Sequence, residues 1–164
     1  MEVDVRAARS TDAAALARIY NYYVMNTCAT FEIEAVEPAD MANRLAGSRS
    51  RGLPWLVAEE GGTVKGYAYA APWKSREAYR YSVESTVYLD PESTARGLGT
   101  RLYAGLIDEL RGCRVHAVIA GISLPNDPSV RLHERLGFHR IGCFREVGHK
   151  QERWVDVGYW ELLL

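Results

Sequence analysis

A chain of 164 residues, 48% hydrophobic and 25% charged, has the composition of a folded globular protein, which excludes a disordered or fibrous class. Its 20 Lys and Arg stand against 21 Asp and Glu, a net charge of −1, so no general field draws in nucleic acid or an anionic membrane, and any anion site must be local. The length suits one domain over 1–164, and Cys28, Cys113 and Cys143, odd in number and widely spaced, suggest a reducing compartment, the cytoplasm.

Val3 and Val5 alternate with charged residues as a short strand would, and Ser10-Thr11-Asp12 offers helix caps. Leu16, Ile19, Tyr20 and Tyr23 then fall on one helical face. After a polar stretch from Thr27 to Glu34, a short second helix begins near Pro38, shares a face through Met41 and Leu45, and can close at Gly47. Trp55 to Glu60 and Val64 to Ala71 form a hairpin about Gly61-Gly62. A charged loop, Lys74 to Arg80, leads to a strand from Val83 to Leu89, whose alternation puts Glu84, Thr86 and Tyr88 on one face. Leu102, Tyr103, Leu106, Ile107 and Leu110 are the apolar stripe of a helix, and Val115 to Ile122 a buried strand. Asp127 and Pro128 open another helix, with Ser129, Leu132, His133 and Leu136 along one face and Gly137 as its stop. Strands from His139 to Gly148 and Arg153 to Leu163, joined by a polar turn near Lys150 to Glu152, end the chain.

The fold class expected is therefore α/β, α+β in its mixed form: a mixed sheet with helices on its faces. The charged residues Glu2, Asp4 and Arg6 exclude a signal-peptide core, and no apolar run approaches the roughly 20 residues needed to span a bilayer. Cys113 and His116 have a C-x-x-H spacing without a second ligand pair, so they read as buried strand residues and no metal is expected.

One turn carries chemistry. Arg96-Gly97-Leu98-Gly99-Thr100-Arg101 reads either as an ordinary strand-to-helix turn or as an anion cradle. In the second reading glycines clear the backbone, the first helical amides point outward, and the helix dipole and two arginines add positive charge. Phosphate fits such a cradle. The third glycine of a Rossmann fingerprint is replaced by Leu102, and a Walker A loop occurs nowhere.

Thr94-Ala95-Arg96-Gly97-Leu98-Gly99 resembles the pyrophosphate loop of the GNAT superfamily of acyl-CoA-dependent N-acetyltransferases, with Thr94 where that family usually has Gln or Arg. GYAYAAPWK over 66–74, VESTVYL over 83–89 and LPNDPSVRLHERLGF over 124–138 resemble its phosphinothricin N-acetyltransferase branch and relatives acting on methionine sulfoximine and sulfone. The resemblance implies a central, mostly antiparallel twisted sheet of about seven strands flanked by about four helices, with acetyl-CoA as co-substrate and no metal. It implies cofactor contacts at Val87, Tyr88, Leu89, Thr94, Ala95, Arg96, Gly97, Leu98, Gly99, Thr100, Arg101, Asn126 and Ser129. It further implies an acceptor site of Phe31, Lys74, Arg76, Tyr79, Glu84 and Thr86, the cations being suited to a carboxylate or phosphinate. A homodimer built partly through the carboxy-terminal strands is implied as well.

Acetyl transfer to an amine needs a neutral nitrogen, and amines with a pKa near 8 or above are largely protonated at neutral pH. By the resemblance Glu84 takes that proton, directly or through water; by the residues alone it reads rather as a solvated or ion-paired sheet-face carboxylate. His133 stands where much of the superfamily has a tyrosine that protonates the departing thiolate. An imidazole there can act as acid or base. The activity implied is direct transfer, in a ternary complex, to the α-amino group of a small amino-acid-like acceptor. An acetyltransferase for peptide or protein amines, and a non-catalytic acyl-CoA sensor, are the alternatives.

Overall fold

The computed structural model describes residues 3–94 and 97–164. Its strands are β1 (Val3–Ala7), β2 (Trp55–Glu60), β3 (Thr63–Pro72), β4 (Ser82–Leu89), β5 (Ala117–Leu124), β6 (His139–Lys150) and β7 (Arg153–Leu163), and its helices are α1 (Ala13–Asn26), α2 (Pro38–Arg49), α3 (Leu98–Arg111) and α4 (Asp127–Arg135). One seven-stranded sheet has the order β1-β2-β3-β4-β5-β7-β6. Every neighbouring pair is antiparallel except β4 and β5. The mixed, mostly antiparallel architecture expected from the sequence is the one observed.

The pleat divides the core in two, because successive side chains in a strand point to opposite faces. Leu56, Ala58, Ala68, Ala70, Val83, Val118 and Ala120 pack with the α3 stripe of Leu102, Tyr103, Leu106 and Leu110. Their alternates Trp55, Val57, Tyr67 and Tyr88 pack with Leu16, Ile19 and Tyr20 of α1 and Met41 and Leu45 of α2. Helices thus cover both faces, and β4 contributes to both layers.

Polar pins fix β4 between them. The Tyr103 hydroxyl is 2.5 Å from Ser85 Oγ in the buried layer beneath α3. On α1, the Tyr23 hydroxyl donates to the Leu89 carbonyl at 2.7 Å, and Arg18 pairs with Asp90 at 2.8 Å. The end of β4 is therefore held by α1 and its middle by α3.

Several local expectations change. Asp12 does not cap α1; its carboxylate accepts from Arg6 at 2.8 and 2.9 Å, tying β1 to the turn before the helix. α2 runs through Gly47 to Arg49, and the left-handed residue that follows is Gly52, with φ 70°. α4 is capped by Asn126, whose side chain accepts from the Ser129 amide at 3.3 Å, rather than by Asp127. β5 begins two residues later than expected, at Ala117. Cys113 and His116 consequently lie in the turn before it, half-buried and exposed respectively. Lys150 belongs to β6 and is buried, the turn being Gln151-Glu152, both at positive φ.

Tyr103→Phe leaves the Ser85 hydroxyl buried without its partner and is expected to destabilise the fold by about 1–3 kcal/mol. Adding Ser85→Ala should recover part of that loss. Urea denaturation of the single and double variants measures the coupling, and additive effects would show that the contact pins nothing.

Candidate active site

β4 and β5 pair only at Ser82–Ala117, Val83–Val118 and Glu84–Ile119. β4 then continues to Leu89, on β3, and β5 to Leu124, on β7. Beyond Glu84 the two strands part, so each presents an inner edge whose peptide groups lack the ladder partner a closed sheet would supply. A cavity of about 660 Å³ occupies the wedge, lined on one side by Glu84 to Leu89 and on the other by Gly121 to Ser123.

The first turns of α3 and α4 form its mouth, through Gly97, Leu98, Gly99 and Thr100 and through Asn126 and Ser129. Gly97 is the residue before α3 and has φ 73°, a left-handed conformation that favours glycine. A Cβ there would meet nothing within 4 Å and would project into open space. The first intrahelical bond of α3 runs from the Arg101 amide to the Gly97 carbonyl at 3.2 Å. The amides of Leu98, Gly99 and Thr100 consequently have no intrahelical acceptor, at the positive end of the helix dipole. The wedge mouth is chemically suited to an extended anionic ligand.

Glu84 lies where the strands begin to part. Its Oε1 is 3.6 Å from the point a Cβ on Gly121 would occupy, and Tyr159 Cε1 is 3.2 Å from the same point. Gly121 therefore leaves the gap that the carboxylate and the ring share. Burial pushes Glu84 above the ordinary carboxylate value, because a desolvated carboxylate loses hydration that nothing else replaces. A carboxylate raised in this way is a stronger base than an exposed one.

His133, on α4, is buried against Tyr103 and Phe138, their rings 4.9 and 5.2 Å from its own in edge-on contacts. Its Nδ1 is 2.7 Å from the Ser129 carbonyl, which can only accept, so Nδ1 carries the hydrogen and the neutral ring keeps its lone pair on Nε2. Burial lowers its pKa below 6.5, opposed by the bond to Ser129. The ring is thus a neutral proton acceptor at neutral pH.

Residues 5–158 match the family model described as an acetyltransferase (GNAT) domain. The chain belongs to the GNAT acetyltransferase family. It is 43% identical over 159 residues to the phosphinothricin N-acetyltransferase of Streptomyces viridochromogenes, covering 97% of this chain and 86% of that protein. It is 42% identical over 163 residues to the L-methionine sulfoximine/L-methionine sulfone acetyltransferase of Salmonella typhimurium, covering 98% and 94%. A GNAT superfamily phosphinothricin acetyltransferase from Sinorhizobium meliloti, solved in complex with AcCoA, superposes with a TM-score of 0.96 at 34% identity, covering 100% of this chain and 89% of that one.

Against this GNAT background the cavity gathers Glu84, Thr86, Val87, Tyr88, Leu89, Thr94, Gly97, Leu98, Gly99, Thr100, Asn126, Ser129 and His133. Ala95 and Arg96 lie outside the described residues. The Arg101 guanidinium instead donates to the Val3 carbonyl at 3.0 Å, on the β1 side of α3. Lys74, Arg76, Tyr79 and Phe31 are not among the lining residues. Lys74 lies over the Trp73 ring at 5.5 Å, Arg76 is exposed, Tyr79 is in the short turn Glu77–Tyr79, and Phe31 packs on Gly148. Tyr20, Tyr23, Thr30, Tyr69 and Ser123 also line the cavity, although nothing in the sequence marks them as site residues. Tyr69 could have been found from register, being the cross-strand partner of Thr86. Among the described residues no three His, Cys, Asp or Glu side chains gather as a metal site.

In nitrogen-15-resolved spectra His133 should be the Nδ1–H tautomer at neutral pH and titrate with a midpoint below 6.5. An Nε2–H tautomer, or a midpoint above that value, would contradict this electrostatic picture.

Proposed function

We propose that this GNAT chain, acting as one domain over 1–164, transfers the acetyl group of acetyl-CoA to the α-amino group of a small amino-acid-like acceptor. Acceptors of the phosphinothricin, methionine sulfoximine or methionine sulfone type are the ones the named relatives act on. The observation that carries the reading is the wedge, which joins an anion-binding helix turn at one end to a basic carboxylate at the other. The amides of Leu98, Gly99 and Thr100 would hold the diphosphate, and the parted edge of β4 would offer peptide groups to the pantetheine arm.

Glu84 is the proposed base. It takes a proton from the acceptor ammonium, directly or through a water, so that the neutral nitrogen attacks the thioester carbonyl. The C–N bond forms and the C–S bond breaks; the proton that the attacking nitrogen sheds in becoming an amide balances the one that the departing thiolate takes up to leave as the CoA thiol. His133 is the proposed partner in that exchange, with Nε2 free to take up a proton and return it. None of the cysteines lines the cavity, which supports direct transfer without an acyl-enzyme. Lys74 and Arg76 follow Ala71, the cross-strand partner of Glu84, in the loop that leads back into β4. From there they would attract the acceptor's anionic groups as exposed charges rather than as pocket walls. Alignment of the two reactants should contribute more than proton transfer, at effective molarities of roughly 10⁵–10⁸ M against about 10²–10⁴-fold.

A homodimer is proposed through β6 and β7, where Ile141, Phe144, Val147 and Trp154 are each more than half exposed, an apolar face of the kind that association covers. The cytoplasm is the proposed location, consistent with free Cys28, Cys113 and Cys143. Among the described residues no helix is long and apolar enough to cross a membrane.

Thiol release from acetyl-CoA, assayed with methionine sulfone, methionine sulfoximine, phosphinothricin, common amino acids and a lysine peptide, tests the activity. Release with the first three is expected, and release with the peptide alone would transfer the reading to protein amines. Glu84→Gln should lower turnover by about 10²-fold or more while acetyl-CoA affinity persists. The base must be ionised, so below a midpoint above 4.5 the wild-type kcat/KM should steepen as pH falls. That extra slope should vanish in the variant, leaving only the slope set by the acceptor amine. Near-wild-type turnover in Glu84→Gln would remove the base assignment.

A further inference from the structure

The stretch 27–36 between α1 and α2 has no helix or strand of its own, yet Ala29 and Thr30 line the cavity. Its centre is held by Tyr20, whose hydroxyl is 2.6 Å from Thr30 Oγ1. Its far end is held by Asn21, which exchanges hydrogen bonds with the Val36 backbone at 2.9 and 2.8 Å. Thr30 is held a second time, from a place remote in sequence: Lys150 Nζ donates to the Thr30 carbonyl at 2.8 Å.

Lys150 is 5% exposed, and among the described residues no carboxylate forms an ion pair with it. A buried lysine without a counter-ion is uncommon, because its ammonium gives up hydration and regains it only through the acceptors it meets. Here the acceptor is a backbone carbonyl of the cavity wall. Burial accordingly holds the ammonium below the ordinary lysine range, against the pull of Cys28 and Glu32. Two residues earlier, on the same face of β6, a Cβ on Gly148 would fall 2.2 Å from Phe31 Cζ. Only a residue without a side chain admits the ring there. Arg153, at the start of β7, donates to Cys28 Sγ at 3.3 Å, a third contact from the same hairpin.

Thr30 meets Tyr20, whose ring packs edge-on against Tyr88 at 5.1 Å. Tyr88 shares its face of β4 with Glu84 and Thr86, whereas α3 packs on the opposite layer. The wall therefore borders the proposed acceptor side of the wedge and not the anion-binding turn.

We propose that Lys150 and Gly148 are positioning residues for acceptor recognition: the ammonium fixes the Thr30 carbonyl and the missing side chain seats Phe31, so that the Ala29–Thr30 wall holds one shape. The inference rests on the acetyltransferase reading for its kinetic consequence and on geometry alone for its structural one. Sequence conceals it, since Lys150 reads as a turn residue and Phe31 as a wall in its own right.

Lys150→Met should raise KM for methionine sulfone by about tenfold, through loss of a charge-assisted bond, and leave KM for acetyl-CoA unchanged. Lys150→Arg should restore part of the acceptor KM, and Gly148→Ala, which displaces Phe31, should reproduce the split if Lys150→Met does not fold. Equal changes in both KM values, or a loss confined to kcat, would overturn the proposal. Hydrogen exchange supplies the arm that needs no turnover: amides in 28–34 should exchange faster in Lys150→Met or Gly148→Ala, while those of α3 do not change. Should the wild type acetylate no acceptor, the functional reading fails and the exchange result still decides the clamp; unaltered exchange in 28–34 would refute it.

Discussion

β4 and β5 lie side by side and parallel, but hydrogen bonds join them only from Ser82 to Glu84 and from Ala117 to Ile119. A sheet interrupted at its centre gives up ladder bonds that a closed sheet would keep, and it exposes polar edges inside the molecule. The loss is tolerable because each strand is secured on its outer side, β4 from Val83 to Leu89 by β3 and β5 along its whole length by β7. Antiparallel pairing on the flanks thus permits an open seam in the middle, and the seam is where a ligand's own polar chain can complete the hydrogen bonding.

The surrounding elements then bring charge and chemistry to that seam. α3 and α4 begin just beyond the ends of β4 and β5, so their first turns converge on one mouth: a Cβ on Gly99 would lie 3.4 Å from Leu89 and 3.7 Å from Leu132. Tyr103 serves two purposes from the face beneath. It anchors β4 through Ser85 and packs edge-on against His133, so the placement of the strand carrying Glu84 is linked to that of the imidazole. The two titratable groups are shifted in opposite directions by the same cause, burial, which favours the uncharged form of each. One is made a stronger base and the other is kept neutral, a pairing suited to moving protons about a nitrogen nucleophile.

What the sequence disclosed follows from the range over which each signal acts. β2 and β7 were readable to the residue because alternation and adjacent turn residues such as Gly61-Gly62 are local. The glycine turn was legible for the same reason, since backbone conformation at Gly97 and the helix that follows are decided within a few residues. Asn126 was harder, because Asn126 and Asp127 are both competent caps and only the Ser129 hydrogen bond chooses between them. Tyr20, Thr30 and Tyr69 come from α1, the loop after it, and β3, and no periodicity brings such residues together. Lys74 and Arg76 are exposed in the loop after β3, and only the resemblance marks them for the acceptor, because charge shows in a sequence while direction does not. Lys150 was hidden for the opposite reason: a lysine beside a turn signals solvent, and its burial depends on a loop 120 residues away.

A crystal structure of the protein with acetyl-CoA tests the central claim, that the parted strands and the first turn of α3 form one ligand groove leading to Glu84. Diphosphate oxygens should lie within hydrogen-bonding distance of the Leu98, Gly99 and Thr100 amides, and the thioester between β4 and β5 beside the Glu84 carboxylate. A diphosphate bound away from the first turn of α3, or a thioester remote from Glu84, would contradict the claim.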